Sequence, residues 1–345
     1  MFPIIPRGIV RLFGRGACLL ALALLAAPTA AAQSSDSRGW LVALDLALTQ
    51  PQGLDNHIAT VINGAVFPPA TERIVVGNDA DVSWRGSAGY AFGLDMGQVK
   101  VSYWTFDNDD SEEFTKTGYV VPSLFGYGYY FDMRIGYGQP IQITGGSGVK
   151  ASTWDLDYSR SIDVGGRFHL NWLAGLRTAS YSEDQSFEGF DGTYTYRQSK
   201  SFNADAFGFR VGAGGEFGFT EHFSLSTSLA YSALLASTEG KASQTFVDGT
   251  AFCTAPPCTE IRTGEEDDIG GSILDLELKG VWSAGAVDVL LGFSNSRWNG
   301  LVRDPVPATG ALWTSESGSN DSVSFTSFEV GVLWRFGGGR GITSP

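Results

Sequence analysis

LDLELKGVWSAGAVDVLLGF, residues 274–293, contains two apolar alternations separated by a short turn. Leucine occupies positions 274, 276 and 278, and valine, leucine or phenylalanine occupies positions 287, 289, 291 and 293. Asp275, Glu277, Lys279 and Asp288 fall on the opposite face, because successive side chains of a β-strand point to opposite sides of a sheet. Ser283-Ala284-Gly285 supplies small turn residues. The stretch predicts a β-hairpin with one apolar face and one charged face.

The same alternation recurs along the chain and predicts about ten antiparallel strands, in the range 8–12. The apolar faces of the predicted strands begin at Trp40, Val82, Val99, Trp154, Phe168, Phe207, Phe223, Leu274, Val287 and Phe328. The opposite faces carry mostly glycine, alanine and serine with scattered charges. Residues 114–143, rich in tyrosine and glycine, leave two alternatives open. They form either a loop folded into the interior or a further hairpin that makes twelve strands.

The connections between these strands alternate in length. Long connections cover residues 49–81, 107–151, 183–204, 236–271 and 297–321, and short ones cover 94–97, 161–166, 220–222 and 283–286. A soluble sandwich gives no reason for this alternation, and its polar face would carry lysine and glutamate in quantity. Outer-membrane barrels have long extracellular loops and short periplasmic turns, and their lipid-facing residues are apolar. The predicted fold class is an all-β, transmembrane, antiparallel up-and-down β-barrel.

The N-terminus predicts export. Three arginines precede an apolar run over residues 17–27, and Ala30-Ala31-Ala32 forms a small-residue cleavage site. Residues 1–32 are therefore predicted to be a cleaved signal peptide. The expected location of the mature chain is the outer membrane of a Gram-negative bacterium.

The rest of the chain is divided into a short periplasmic segment, a barrel and a tail. The predicted bounds are 33–38 for the segment, 39–336 for the barrel and 337–345 for the periplasmic tail. Trp334 and Phe336 close the last strand, which resembles the C-terminal signal recognised by the barrel-assembly machinery. Nine residues follow Phe336, which is a departure from that signal.

Charge and cysteine content limit the partners. The formal net charge is −14, and removal of the three arginines in residues 1–32 leaves 20 basic and 37 acidic residues, a net of −17, which repels nucleic acid. Acidic clusters at Asp107–Glu113 and Glu265–Asp268 lie between apolar segments and are expected to be solvated loops. Cys253 and Cys258 are predicted to form a loop disulfide, because export leads to an oxidising compartment. A zinc site would need further ligands nearby.

Fourteen charged residues share the face opposite the lipid and are candidate lumen-lining residues. They are Asp45, Arg85, Lys100, Asp155, Asp157, Arg177, Arg210, Glu216, Asp275, Glu277, Lys279, Asp288, Glu329 and Arg335. Barrels of about eight strands are filled by side chains, whereas those of about sixteen or more enclose a water channel. Ten strands with both signs of charge inside predict a salt-bridge network that either plugs the barrel or leaves a narrow pore.

Three segments resemble the pore-forming major outer-membrane protein family first described in Legionella. They are residues 154–160 (WDLDYSR) running on to 168–177 (FHLNWLAGLR), residues 209–216 (FRVGAGGE) and residues 229–235 (LAYSALL). The resemblance covers about a third of the mature chain and lies mostly in strands four to eight. It implies a porin-like role and surface exposure, and it carries over no catalytic residues.

Two functions are predicted, in order. The first is a narrow pore for small hydrophilic solutes or ions. The alternative is a closed structural or adhesive barrel whose acidic extracellular loops bind host surfaces, lipopolysaccharide or divalent cations. We expect no enzyme activity, no cofactor and no metal site, since His57, His169 and His222 do not form a surface catalytic group. The expected partners are outer-membrane lipid, lipopolysaccharide and, during biogenesis, the barrel-assembly machinery, with the oligomeric state left open.

Overall fold

The computed structural model describes residues 38–54, 56–63, 70–93, 96–124, 140–193, 195–247, 257–301 and 322–336. Thirteen β-strands lie in these ranges, and none of the described residues forms a helix long and apolar enough to cross a membrane. The strands are β1 (Gly39–Gln52), β2 (His57–Asn63), β3 (Ala70–Val75), β4 (Asp81–Gly93), β5 (Gly97–Thr117), β6 (Tyr119–Pro122), β7 (Pro140–Gly165), β8 (Phe168–Phe190), β9 (Thr195–Gly218), β10 (Phe223–Phe246), β11 (Cys258–Ala284), β12 (Val287–Asn299) and β13 (Ser322–Phe336).

Ten of these strands form a closed antiparallel barrel, which confirms the predicted fold class. The ring order is β1-β13-β12-β11-β10-β9-β8-β7-β5-β4. Apart from the closure between β1 and β13, ring neighbours follow one another along the chain, with β2 and β3 between β1 and β4 and with β6 between β5 and β7. Following paired residues once around the ring from Trp40 returns to β1 at Gln52, twelve residues further on. That stagger requires strands tilted by about 42° and a Cα diameter of about 19 Å. A barrel this narrow has room for side chains and little else.

The outer surface of the barrel carries an apolar band. On β10, Phe223, Leu225, Leu229, Tyr231 and Leu235 point outward and are 38–64% exposed. From Phe223 to Leu235 the tilted strand rises about 30 Å, close to the height of a lipid-facing band. Aromatic residues cluster near both edges, with Trp84 and Trp154 contacting Tyr103 at ring-centroid distances of 5.2 and 4.5 Å. These features are typical of a membrane-spanning barrel.

Short turns close the periplasmic ends of the hairpins. Gly285, in the turn between β11 and β12, has φ 67°, and Gly166, between β7 and β8, has φ 65°. These left-handed conformations are open to glycine without strain. The turn that the sequence predicted at Ser283-Ala284-Gly285 therefore lies where expected.

Four of the five predicted long connections, 49–81, 107–151, 183–204 and 236–271, contain much strand, which differs from the prediction, and most of the fifth lies outside the described residues. Asp107–Glu113 lies within β5 and Glu265–Asp268 within β11, so the expectation that both are loops is wrong. On β9, the twelve residues from Phe207 up to Thr195 extend about 30 Å beyond the apolar band. The outward side chains of this extension are polar, as at Asn203 and Asp205, whereas Phe202 and Ala204 face inward and are buried. The apolar side of the strand therefore changes from the outer face in the membrane to the inner face above it. We call the extended parts of β5 and β7–β11 the extracellular wall.

A small second sheet lies inside the mouth formed by the extracellular wall. It has the order β3-β2-β6, and Ile58 and Val76 are fully buried beside Gly145 of β7. A Cβ on Gly145 would meet both side chains, so this glycine allows the close approach. β5 ends at Thr117 and β6 joins the small sheet, so the described part of residues 114–143 adds no hairpin to the ring. Residues 125–139 lie outside the described part of the chain.

Glycines on the inner face make room for the charged side chains. In the strand pairing, Lys100 lies opposite Gly89, Asp157 opposite Gly175, Arg177 opposite Gly208, and Asp45 opposite Gly331. A Cβ on Gly89 would lie 2.6 Å from the Val99 carbonyl oxygen. The abundance of glycine on this face is explained by the need to fit long side chains into a narrow lumen.

Candidate functional site

Arg177 is the centre of the first charge cluster in the lumen. Its Nε and Nη2 donate to Asp155 at 2.6 and 2.8 Å, and its Nη1 donates to Asp275 at 2.7 Å. Arg210 donates to Asp157 and, at 3.3 Å, to Asp275. The Arg177 side chain is only 4% exposed. Such a bidentate buried pair is rigid, and removing one partner leaves an uncompensated buried charge.

Lys279 is the centre of a second charge cluster, formed by side chains of β11, β13 and β1. Its Nζ lies 3.3 Å from Glu277, 3.5 Å from Glu329 and 3.9 Å from Asp45. Arg85 donates to Glu277. With Lys100, the two clusters contain six carboxylates and five cations, so the charges in the lumen nearly cancel. The carboxylates are Asp45, Asp155, Asp157, Asp275, Glu277 and Glu329, and the cations are Arg85, Lys100, Arg177, Arg210 and Lys279.

The three remaining predicted lumen residues lie nearer the periplasmic end. Arg335 pairs with Asp288, which is almost fully buried. Glu216 accepts a hydrogen bond from the Ser224 hydroxyl at 2.6 Å. The structure thus places all fourteen predicted residues on the inner face and joins most of them into the two clusters, while this pair and Glu216 stand apart.

An apolar layer covers the charge clusters on the extracellular side. Trp298, Phe106 and Phe325 are 0–1% exposed, and Phe325 contacts Trp298 at 5.6 Å, Phe106 at 5.5 Å and Trp104 at 5.4 Å between ring centroids. The layer is joined to the clusters by one hydroxyl, that of Ser296. It accepts from Trp298 Nε1 at 3.0 Å and donates to Asp275 at 2.7 Å.

The aromatic layer was not predicted from the sequence, although a signal for it was present. Tyr103 and Trp104 are consecutive, so one of them must face the interior, and Trp298 and Phe325 fall on inward positions of β12 and β13. Large aromatic side chains on the inner face of a narrow barrel indicate that its interior is filled. The contacts between these rings depend on the stagger of the strands around the barrel, which the sequence does not show.

The inner face of the extracellular wall combines buried apolar residues, such as Ile141, Ile143 and Phe187, with hydrogen-bonded polar ones. The Tyr196 hydroxyl donates to Gln244 at 2.8 Å, and Gln244 Nε2 donates to Glu260 at 2.8 Å. Tyr196 lies about 30 Å above the apolar band, outside the membrane-spanning part, and burial raises the pKa of its phenol. At the top of the wall Cys258 is disulfide-bonded, and Cys253 lies outside the described residues. The wall is stabilised by side-chain hydrogen bonds and by this disulfide.

The solved structures that are similar to this chain include three outer-membrane proteins. The outer membrane protease OmpT from Escherichia coli is 10% identical, with a TM-score of 0.43 over 90% of this chain and 100% of that one. The Pseudomonas putida toluene transporter TodX is 9% identical, with a TM-score of 0.23 over 91% and 92%. The Acinetobacter baumannii outer membrane protein Omp33 is 10% identical, with a TM-score of 0.24 over 88% and 100%. At these identities the likeness concerns the fold alone.

The prediction that the chain is not an enzyme is wrong as an inference from this fold, because one of the similar structures is a protease. The similar structures also include a transporter, so the comparison assigns no activity to this chain. No curated protein matches the sequence. The family model described as Legionella pneumophila major outer membrane protein precursor matches residues 36–270, more than half of the chain, and the protein therefore belongs to this family of outer-membrane proteins.

Proposed function

We propose that the barrel is closed at rest and works at the cell surface through its extracellular wall, as a structural or binding protein. The observation that carries this proposal is the filled lumen. Paired charges occupy the membrane level, and the Trp298 layer lies above them. A passing solute would have to cross both.

The cost of crossing the charge clusters is large. A hydrated ion needs space that the Arg177, Asp155 and Asp275 side chains now fill. Separating one partner from a buried ion pair costs about 3–5 kcal/mol, because the remaining charge stays out of water. The aromatic layer adds a second barrier, since apolar contacts must be broken to admit water. Together these barriers support a lumen that conducts rarely or not at all.

The extracellular wall supplies the surface for binding. Above the apolar band most of its outward side chains are polar, as in Ser237, Glu239 and Lys241 on β10. The chain as a whole is strongly acidic, with a formal net charge of −14. A tall, acidic, rigid wall favours contacts with cationic or hydrogen-bonding partners outside the cell. Contacts with lipopolysaccharide and divalent cations stay predictions.

Planar-bilayer recording tests the proposal. Folded protein, identified by its heat-dependent gel mobility, is expected to give no stable conductance steps, while a general porin in the same bilayer gives them. Uniform, long-lived steps from the folded protein would overturn the proposal and favour the narrow pore, which until then stays a prediction. The same preparation, reconstituted in liposomes with trapped sugars, should show no swelling.

A further inference from the structure

In the described part of the chain, the upper part of β11 has a strand neighbour on one side only. β11 pairs with β10 from Cys258 to Trp282, but with β12 only from Ser272 to Ala284. Among the described residues, the segment Thr259–Glu266 is therefore the edge of the extracellular wall. No described strand reaches its height on the other side, because β12, β13, β1 and β4 all end lower than β11.

The backbone groups at this edge can be identified. The Ser283 N–H of β11 donates to the His222 carbonyl on the β10 side at 2.8 Å, and the Ser283 side chain faces the lumen. Along a strand, the face to which the side chain points and the side to which the backbone N–H and C=O point both alternate from residue to residue. Since the lumen-facing Ser283 bonds toward β10, the other lumen-facing residues of β11 also bond to β10. The β-bulge near Asp267 inserts one extra residue in β11 and shifts both alternations together, so the same rule holds above it. The outward-facing residues above it thus direct their N–H and C=O groups away from β10.

Four residues supply these groups: Thr259, Ile261, Thr263 and Glu265. Three of them are β-branched, which favours the extended conformation, and Ile261 is 55% exposed. The disulfide at Cys258 ties the upper end of the segment. Edge strands are commonly blunted by proline or lysine, and this one has neither. The edge is a straight, preformed template for one more strand.

The charge of the edge selects the partner. Glu260, Glu265 and Glu266 are acidic, and Arg262, the single cation, donates to Glu260 at 3.3 Å. Opposite charges across a strand pair stabilise it and like charges destabilise it. A second copy of this chain fits poorly, because both acidic edges would face each other. In one membrane both copies of β11 also run from outside to periplasm, so they could meet only in parallel.

We propose that the β11 edge binds an extended, basic segment of another protein by adding it as a strand to the extracellular wall. This inference rests on the proposed surface function and names the class of partner. Main-chain hydrogen bonds from the four edge residues would give affinity, and lysine or arginine opposite the glutamates would give specificity. The added strand would continue the wall on the side of β11 that faces β12.

The first test is hydrogen exchange of the folded protein in detergent micelles. Without peptide, the amides of Ile261, Thr263 and Glu265 are expected to exchange fast, while the lumen-facing amides of Arg262 and Gly264 exchange slowly because they bond to β10. A capped seven-residue peptide of alternating lysine and valine should slow the fast set. Slow exchange of all these amides in the protein alone would show that another segment of this chain occupies the edge, and would overturn the proposal.

The second test is peptide affinity, measured by fluorescence anisotropy. Thr263→Pro removes an edge N–H without touching the β10 ladder, so it should weaken binding about tenfold, whereas Thr263→Ala should change it by less than about threefold. The matched peptide with glutamate in place of lysine should not bind. Equal binding of the two peptides, or wild-type affinity of Thr263→Pro, would contradict strand addition. Bilayer conductance would be unaffected, so failure here is distinct from failure of the closed-barrel proposal.

Discussion

Replacing Arg177 by methionine should destabilise the barrel strongly. The substitution keeps much of the side-chain volume but removes three hydrogen bonds, two to Asp155 and one to Asp275. Among the described residues, Asp275 retains Arg210 at 3.3 Å and Ser296 at 2.7 Å, whereas Asp155 retains only Arg210 at 3.6 Å. The main cost is therefore the stranded Asp155 carboxylate, 9% exposed. We expect a loss of about 3–5 kcal/mol, a hundredfold to a few thousandfold in the folding equilibrium.

The measurement is urea unfolding of the refolded barrel, followed by tryptophan fluorescence and by heat-dependent gel mobility. Arg197→Met is the matched control, because the Arg197–Glu188 pair is about half exposed and is worth only about 0–1 kcal/mol. Adding Asp155→Asn to Arg177→Met should recover part of the loss, since the stranded charge is gone. If Arg177→Met were as stable as the Arg197→Met control, the buried network would not be the stabilising feature described above.

Three further substitutions test other parts of the fold. Trp298→Ala empties the centre of the aromatic layer, where the side chain is 0% exposed, and should cost about 3–5 kcal/mol in urea unfolding while raising sugar leakage from liposomes. Gly212→Ala places a Cβ 2.8 Å from the Leu229 carbonyl oxygen and should cost about 1–3 kcal/mol, whereas Gly270→Ala, with open space around it, should cost far less; equal effects would refute the argument from inner-face crowding. Leu276→Arg lies on the lipid-facing band and should cost about 2–4 kcal/mol near mid-membrane, against almost nothing for Asn203→Arg on the wall, and a reversed order would place the membrane elsewhere.

The membrane-spanning strands could be predicted from the sequence because lipid imposes a pattern. Leu274, Leu276 and Leu278 must face the acyl chains while Asp275 and Glu277 cannot, so the alternation is strict. Above the band that demand ends. The Asp107–Glu113 part of β5 has polar side chains on both faces, and it stays in the sheet through pairing with β7, which no local pattern shows.

The sequence predicts which charged residues face the lumen, but not which ion pairs they form there. The sequence indicates that Arg177 and Arg210 face carboxylates, since both lie on the inner face with acids of neighbouring strands. Which acids they meet depends on the stagger around the ring, since Arg177 lies opposite Asp155 in the strand pairing but reaches Asp275 across the lumen. The same dependence hid the contact between Trp104 of β5 and Phe325 of β13, which are more than two hundred residues apart.

Thiol accessibility from outside the cell tests the closed lumen most directly. Ser224→Cys places a thiol on the inner face near the periplasmic end, and Glu260→Cys places one on the extracellular wall, above the aromatic layer. With a charged, membrane-impermeant thiol reagent added to intact cells, we predict labelling of Glu260→Cys and none of Ser224→Cys until the cells are broken open. Labelling of Ser224→Cys in intact cells at a rate similar to that of Glu260→Cys would contradict a barrel closed by its charge clusters and the Trp298 layer.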